Sequence, residues 1–235
     1  MEKNNQGQTI YMVLCAVFIA SLVACNLIFQ KFFMLDVHYT VFVLSVGILP
    51  YPVTFLVTDV ISEIYGKKKA DTLVFSGFIA SVFIMLVLYF ADILPAVYFS
   101  PVDNDTFSKV FGLFGPAVFA SMSAYLLAQF IDIRIFHLWK DFTKGKHLWL
   151  RNNLSTVFSQ MIDTSSVLVL LCIASDLGWA TGLDWSNFLD LFVAGYLFKV
   201  CIAIIDTPMV YLSCYLLRRK FDLEVGQTIE QKNNS

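Results

Sequence analysis

The sequence predicts an all-α, polytopic membrane protein with six transmembrane helices and both termini in the cytoplasm. Of the 235 residues, 58% are hydrophobic and only 14% are charged, against roughly 45–50% and 25% in typical globular chains. A soluble domain of this size has too little interior for so much apolar surface, and disorder requires low hydrophobicity and many charges. The net charge of −2 offers no basic surface for direct binding of nucleic acid.

Six apolar segments are long enough to cross the hydrocarbon core, which takes about 20 helical residues. Four runs contain no Asp, Glu, Lys or Arg: residues 4–30, 37–58, 72–91 and 110–131. A fifth run contains only Asp163, and a sixth contains Lys199 and Asp206. A single integral membrane domain over residues 1–235 is therefore predicted, with approximate spans at 9–30, 39–60, 72–91, 110–132, 153–175 and 191–217.

The basic residues predict how these spans are oriented. Thirteen of the 16 Lys and Arg residues lie near the two termini or in the segments after the second and fourth spans. Only Lys31 and Lys109 lie on the other side, and Lys199 lies inside a span. Because basic loops stay in the cytoplasm, both termini are predicted to be cytoplasmic.

The segments outside the predicted spans are too short to form a domain of their own. They contain no Gly-rich phosphate loop, HExxH or GxSxG motif. The three histidines, His38, His137 and His147, lie at span edges or in loops, which argues against a metal cluster. We therefore expect a protein that is not an enzyme, with no cofactor and no metal, whose function lies in polar groups within the spans.

The second span combines a carboxylate pair with two prolines. Asp59 and Glu63 are spaced i, i+4 and share one helical face. Pro50 and Pro52, near the middle of this span, cannot donate helical hydrogen bonds. Free backbone groups at that depth are tolerated only against protein or a cavity, and interrupted helices mark binding sites in transporters. This favours a helix break that lines a site, with a simple packing kink as the alternative.

The fifth span carries polar residues along one face at spacings of 4, 3, 4 and 3, with Gln160 beside them: Asn152, Thr156, Ser159, Asp163 and Ser166. Asp163 lies 11 residues beyond Asn152, about 16 Å along a helix and so near the midplane. The hydroxyl residues alone could be explained by helix packing. An ionisable residue at this depth favours a functional site.

The sixth span places Lys199 and Asp206 two turns apart on one face. A lysine near the midplane needs a counter-ion, and Asp163 is predicted at a similar depth. We therefore predict that Lys199 contacts Asp163, Asp206 or both. A purely structural ion pair remains the alternative.

Three further residues are candidates, each with a structural alternative. Asp132 and Arg134 end the fourth span at the cytoplasmic edge, where such charges can reach water. Asn26, about one turn below the outer surface, suits either a helix–helix hydrogen bond or a ligand contact. Together, the spans bring several carboxylates and one lysine to one volume, which suits the path of a small polar solute and proton coupling.

Two motifs of the second span are distinctive: Leu49-Pro50-Tyr51-Pro52-Val53-Thr54, and Asp59-Val60-Ile61-Ser62-Glu63-Ile64-Tyr65-Gly66 followed by a basic run. Later stretches accompany them: Ile131-Asp132-Ile133-Arg134-Ile135-Phe136, Trp149-Leu150-Arg151-Asn152-Asn153-Leu154-Ser155-Thr156, Ser159-Gln160-Met161-Ile162-Asp163-Thr164, Lys199 and Thr207-Pro208. They resemble the signature of the queuosine precursor transporter family, also called the vitamin uptake transporters. The resemblance runs from about residue 10 to 220.

This resemblance implies a multi-pass protein of the inner membrane that imports 7-deazapurines for the tRNA nucleoside queuosine. The implied cargo is 7-cyano-7-deazaguanine, a related 7-deazaguanine or queuine, so the partners are a small molecule and the lipid bilayer; the oligomeric state stays open. Within the matching stretches, Arg151 and Ser159 become further candidates.

The chemistry of such a cargo suggests roles for the candidate residues. Adjacent N–H donors of a guanine edge suit a carboxylate, and the carbonyl on the opposite edge suits an amide, hydroxyl or lysine donor. Our hypothesis is that one of Asp59, Glu63 or Asp163 reads the N–H edge. The carbonyl side then falls to one of three donors, Gln160, Asn26 or Lys199, and the ring stacks on Phe or Tyr.

Other functions remain open at this point. The chain could be the vitamin-binding subunit of an ATP-driven uptake system. It could also be an intramembrane hydrolase that uses paired carboxylates such as Asp163 and Asp206, which would have to share a proton. A structural assembly protein would leave the charges at mid-depth without a purpose.

Overall fold

The structure is a computed structural model that describes residues 2–29, 31–37, 40–112, 116–177 and 184–233. Its helices are α1 Glu2–Ile28, α2 Tyr51–Ile64, α3 Lys67–Ile93, α4 Asn104–Phe111, α5 Pro116–Phe142, α6 Leu148–Asp176, α7 Phe188–Phe221 and α8 Ile229–Asn233. An antiparallel hairpin of β1 Phe32–Val37 and β2 Thr40–Ser45 lies between α1 and α2. Short 3-10 turns occur at Val46–Ile48 and Trp185–Asn187.

The protein is an all-α polytopic membrane protein. Within the described residues, five helical segments are long and apolar enough to cross a membrane: Asn5–Ile28, Val46–Ile64, Lys67–Ile93, Leu148–Ile173 and Trp185–Phe221. The fourth predicted span, residues 110–132, differs from the structure in its bounds. Its first residues belong to the separate helix α4, and α5 begins at Pro116 and continues to Phe142.

The second predicted span, residues 39–60, is not one helix. Its first part forms β2, and α2 begins only at Tyr51. Pro50 occupies the N-cap of α2 and Pro52 lies in its first turn, where the N–H that proline lacks would have no helical partner anyway. The two prolines therefore start a helix instead of breaking one. With 14 residues, α2 alone is about 21 Å long. Only together with the preceding 3-10 turn does it form the 19-residue segment Val46–Ile64 that is long enough to cross a membrane.

The apolar core surrounds α2. Side chains of α2 such as Val57, Ile61 and Ile64 are buried against neighbours from α1, α3, α5 and α7. The contact between α1 and α3 is close at Gly77, where an added Cβ would lie 2.6 Å from a ring carbon of Phe18. Packing of this density leaves α2 with almost no lipid contact, so its polar side chains face protein.

One end of the molecule collects both terminal regions and two interhelical turns. The Tyr65 hydroxyl donates to the Gly7 carbonyl at 2.9 Å, which joins the α2–α3 turn to the start of α1. Gly145, between α5 and α6, has a φ of 76° and lies so close to Gly226 that an added Cβ would approach the Gly226 Cα to 2.8 Å. We call this the basic end, because the Lys- and Arg-rich segments 67–69, 140–151 and 218–220 lie here.

Candidate functional site

A lysine, an aspartate and a tyrosine from three helices meet near the middle of the molecule. The Lys199 Nζ of α7 donates to the Asp163 Oδ2 of α6 at 2.7 Å and to the Thr164 Oγ1 at 3.2 Å. The Tyr51 hydroxyl, from the first turn of α2, donates to the same Asp163 oxygen at 2.6 Å. The predicted ion pair of Lys199 with Asp163 is thereby confirmed. Among the described residues, Lys199 forms no ion pair with Asp206. We call Tyr51, Asp163 and Lys199 the central cluster.

Gln160 lies beside this cluster. Its Oε1 is 3.1 Å from the Tyr51 hydroxyl. That hydroxyl has a single proton, which it shares between the Gln160 oxygen and the nearer, charged Asp163. The Nε2 of Gln160 has no hydrogen-bond partner among the described residues. This nitrogen is therefore free to donate to another group.

A small cavity adjoins the central cluster. Its polar lining comes from Tyr51, Gln160, Lys199 and Asp206. Its volume of about 20 Å³ is room for about one water molecule. Asp206 is half-buried and reaches this cavity from the turn of α7 that precedes Pro208, so its carboxylate faces the cavity.

The wall of the cavity is aromatic. The Tyr51 ring packs against Phe55 and Tyr125, with ring centroids 5.2 Å and 6.0 Å apart. The Lys199 ammonium lies 4.7 Å from the centroid of the Tyr51 ring, a cation–π distance. Phe198 lines the cavity beside Lys199. A planar polar ligand could therefore find both hydrogen-bonding groups and a ring to stack on.

A second ion cluster ties four helices together at the basic end. Glu63 of α2 forms ion pairs with Lys140 of α5, Arg151 of α6 and Arg218 of α7. The distances are 3.1 Å from the Lys140 Nζ to the Glu63 Oε2 and 2.6 Å from an Arg151 Nη to the Glu63 Oε1. The Lys140 Nζ also donates to the Glu63 carbonyl at 3.1 Å. We call these four residues the Glu63 cluster.

The Glu63 cluster is shielded from solvent and has an excess of positive charge. The side chains of Glu63 and Arg151 are completely buried. One carboxylate faces three cations, whose remaining charge is partly compensated by Asp59, which lies within electrostatic reach of Glu63 and Arg151. With three cations bound to it, Glu63 has no free capacity to read a ligand in this conformation.

Two buried carboxylates lie between the clusters. Asp59, 2% exposed, interacts electrostatically with Asp132 and with the cavity-lining Asp206 as well as with the Glu63 cluster. Asp132 is fully buried, and its Oδ1 accepts a hydrogen bond from the Ser159 hydroxyl at 2.9 Å. The structure thus brings the predicted candidates on α2, α6 and α7 close together with Asp132 of α5.

Two candidates lie elsewhere. The Asn26 amide donates to the Ser81 hydroxyl of α3 at 3.3 Å and lines a different, mainly apolar pocket closed by Val110 and Phe111 of the α4 helix. Arg134 is exposed on α5. Neither joins the central cluster or the Glu63 cluster.

Sequence reasoning missed Tyr51, Lys140 and Arg218. The signal that could have identified Tyr51 is that a tyrosine at membrane depth needs a partner for its hydroxyl. Lys140 and Arg218 lie in basic segments, from which the sequence predicts only the orientation in the membrane. Because α5 continues to Phe142, its last turns place Lys140 next to Glu63. Among the described residues, no three His, Cys, Asp or Glu side chains are placed to hold a metal ion.

Comparison with known proteins assigns the family. Residues 45–213, which include both clusters apart from Arg218, match the model of the family described as "Putative vitamin uptake transporter". The chain belongs to this family. The family resemblance inferred from the sequence motifs is thereby confirmed.

Named relatives come from three bacteria. A "Probable queuosine precursor transporter" of Bacillus subtilis is 28% identical over 172 residues, which cover 71% of this chain and 70% of the relative. The "Queuosine precursor transporter" of Escherichia coli is 26% identical, over 75% of this chain and 76% of the relative. A third, a "Probable queuosine precursor transporter" of Haemophilus influenzae, is 26% identical over 78% and 74%. No solved structure matches the chain.

Proposed function

We propose that this vitamin uptake transporter family member imports queuosine precursors across the inner membrane. The cargo would be 7-cyano-7-deazaguanine, a related 7-deazapurine or queuine. Relatives in three bacteria that match this chain over most of their own length are named as queuosine precursor transporters. The observation that carries the proposal within the molecule is the Asp163–Lys199 pair, buried between helices beside a cavity lined by aromatic and polar groups. Such charges are expensive in a membrane and mark solute paths.

The geometry narrows the hypothesis about the guanine edge. Glu63 is occupied by three cations, and the residues that line the cavity do not include Asp59 or Asp163. Asp206 lines the cavity without an ion-pair partner among the described residues. We assign the N–H edge of the cargo to Asp206, and the cargo carbonyl to the Gln160 Nε2 and to Lys199, which Asp163 holds in place.

The size of the cavity requires movement during transport. Room for one water molecule is far too little for a purine, so the helices around the central cluster must separate when cargo binds. Alternating access by movement of helices around a fixed site is the usual mechanism of secondary transporters. The structure then represents a conformation in which the cargo cavity is contracted.

We also propose an orientation in the membrane and an energy source. Six spans, with α5 as the fourth, would place the basic end and both termini in the cytoplasm. The buried carboxylates Asp59 and Asp132 interact electrostatically with each other. In the part of the chain that the structure describes, neither forms an ion pair, which suits binding and release of protons during the cycle. Import would then be proton-coupled.

Growth of a strain that lacks queuosine synthesis and uptake tests the cargo. The strain would carry this gene and receive each precursor at low concentration. Queuosine in its tRNA is expected with at least one 7-deazapurine and would identify it. Absence of queuosine with every precursor, while the protein is detected in the membrane, would rule the cargo out.

The ATP-driven alternative is tested with purified protein in lipid vesicles. Uptake that follows an imposed proton gradient and needs no ATP supports a secondary transporter. Copurification of an ATPase, with no uptake by the chain alone, would favour the alternative. A hydrolase with a shared proton between Asp163 and Asp206 gains no support, because Asp163 is bound to Lys199 and Tyr51.

A further inference from the structure

Buried polar atoms without protein partners lie between the two clusters. One atom each of Ser62, Gln129, Asp132, Asn152 and the Gln160 carboxamide is inaccessible and has no hydrogen-bond partner among the described residues. A buried polar group without a partner is uncommon in folded proteins and costs about 1–3 kcal/mol. Several in one region indicate groups that find their partners in another conformation, where water or cargo reaches them.

These atoms lie in the part of the helix bundle that joins the cavity to the Glu63 cluster. On α2, Tyr51 of the central cluster and Glu63 are 12 residues apart, and on α6 the same separation divides Arg151 from Asp163. Twelve helical residues correspond to about 18 Å. Both helices therefore join the cavity to the Glu63 cluster, and the unpartnered atoms lie on α2, α5 and α6 within this interval.

Asp59 connects the two ends of this interval. It is within electrostatic reach of Asp206 at the cavity and of Glu63 and Arg151 at the basic end. A continuous series of carboxylate, amide and hydroxyl groups, mostly hydrogen-bond acceptors, thus leads from the cavity to the basic end. It suits a solute rich in N–H donors.

We propose that this polar column is the half of the transport path that opens at the basic end, and that the Glu63 cluster is its gate. The proposal rests on the proposed function only in taking the protein to be a carrier. The gate closes because one carboxylate holds α5, α6 and α7 against α2. It opens when α7 moves away and Arg218 leaves Glu63, which admits water to the column.

α7 has a hinge at the required position. Pro208 lies inside α7, between the cavity-lining Asp206 and the gate residue Arg218. Proline cannot donate to the carbonyl four residues earlier, so helices bend at such positions. The segment after Pro208 carries Arg218 and Cys214, and it can tilt while Lys199 stays bound to Asp163.

The chain contains its own reporter of this movement. Cys214 is 1% exposed and lies within electrostatic reach of Glu63, Arg218, Asp59 and Arg151. Cys172 is equally buried, but it lies on α6 21 residues from Arg151, about 32 Å away along the helix. Opening of the gate should expose Cys214 and leave Cys172 buried.

The test labels these thiols with a membrane-impermeant maleimide in inside-out vesicles, with modification measured for each cysteine by mass spectrometry. Arg218→Gln weakens the gate, and Arg219→Gln, an exposed neighbour, is the matched control. We expect Cys214 to react about tenfold faster in Arg218→Gln, which corresponds to only about 1.4 kcal/mol. Arg219→Gln should react like the wild type, and Cys172 should stay slow in all three.

Each outcome decides for or against the gate. Equal labelling of Cys214 in the two variants overturns it. If Cys172 also becomes reactive in Arg218→Gln, that variant has lost its fold, and Lys140→Gln takes its place. Equal labelling rates of Cys214 in Lys140→Gln and in the control Arg219→Gln then overturn the gate.

A second measurement uses the wild type and separates the gate from the cargo. 7-Cyano-7-deazaguanine enclosed in the vesicles should accelerate labelling of Cys214. Acceleration by Arg218→Gln without an effect of this compound supports the gate and contradicts 7-cyano-7-deazaguanine as the cargo. No acceleration in either arm contradicts the gate itself.

Discussion

The two ion clusters use the same chemistry in opposite ways. The central cluster has one carboxylate, Asp163, and one cation, Lys199, whose side chain is 17% exposed beside a cavity. The Glu63 cluster has one carboxylate and three cations, and its Glu63 and Arg151 side chains are fully buried. A ligand in the cavity can reach Lys199 of the first, whereas loss of Glu63 from the second leaves three cations without their carboxylate. The first is therefore suited to binding and the second to holding helices together.

Glu63→Gln tests the second half of this comparison and has the largest expected effect. It removes the one anion that, among the described residues, forms ion pairs with Lys140, Arg151 and Arg218, and breaking a buried ion pair costs about 3–5 kcal/mol. Thermal unfolding in detergent should show a clearly lower melting temperature, with Glu230→Gln, an exposed carboxylate at the same end, unchanged. Equal melting temperatures for the two variants would contradict a structural role for the cluster.

Asp163→Asn should act mainly on transport. It removes the charge that holds Lys199, so initial uptake of labelled 7-cyano-7-deazaguanine is expected to fall about tenfold or more, since one charge-assisted contact is worth about 1.5–3 kcal/mol. Asp190→Asn, exposed at the start of α7, is the control and should transport normally. Wild-type uptake by Asp163→Asn would remove this residue from the site.

A double variant distinguishes a binding role of the Asp163–Lys199 pair from a purely structural one. Asp163→Asn combined with Lys199→Met removes both charges, so the protein should regain the stability that Asp163→Asn alone loses, because no charge is left buried without a partner. Uptake should stay low. Recovery of uptake together with stability would mean that the pair is structural, like the Glu63 cluster.

Tyr51→Phe is expected to have an intermediate effect. It keeps the ring that faces Lys199 but removes the 2.6 Å hydrogen bond to Asp163. A hydrogen bond to a charged group contributes about 1.5–3 kcal/mol, so both the melting temperature and the uptake rate should decrease. Tyr98→Phe, on a residue that is 99% exposed, provides the control; an equal effect of the two would assign no role to the Tyr51 hydroxyl.

Asn26→Ala has the smallest expected effect and tests the boundary of the site. Its single 3.3 Å hydrogen bond to Ser81 is worth about 1 kcal/mol, and it lies outside both clusters. Stability should fall slightly and uptake should stay near the wild-type rate. Loss of uptake would mean that the pocket beside α4 belongs to the transport path.

Prediction from sequence succeeded where a residue type has few acceptable environments. A lysine at mid-depth must find an anion, so the Lys199–Asp163 contact could be predicted without knowing the fold. The prediction of a helix break at the two prolines was wrong. Pro50 and Pro52 exclude a continuous helix, but the sequence does not distinguish a break inside a helix from a helix that starts there after a strand.

The sequence by itself determined the class of protein, the basic side and the helix faces on which the carboxylates lie, because these depend on composition and on the 3.6-residue period of one helix. Only the tertiary structure decided which carboxylate is bound by which cation. Four helices from distant parts of the chain meet at Glu63, and the length of α5 and the course of α7 bring Lys140 and Arg218 there. Helix packing, which no single segment encodes, therefore distinguished Glu63, which holds the helices together, from Asp206, which faces the cavity.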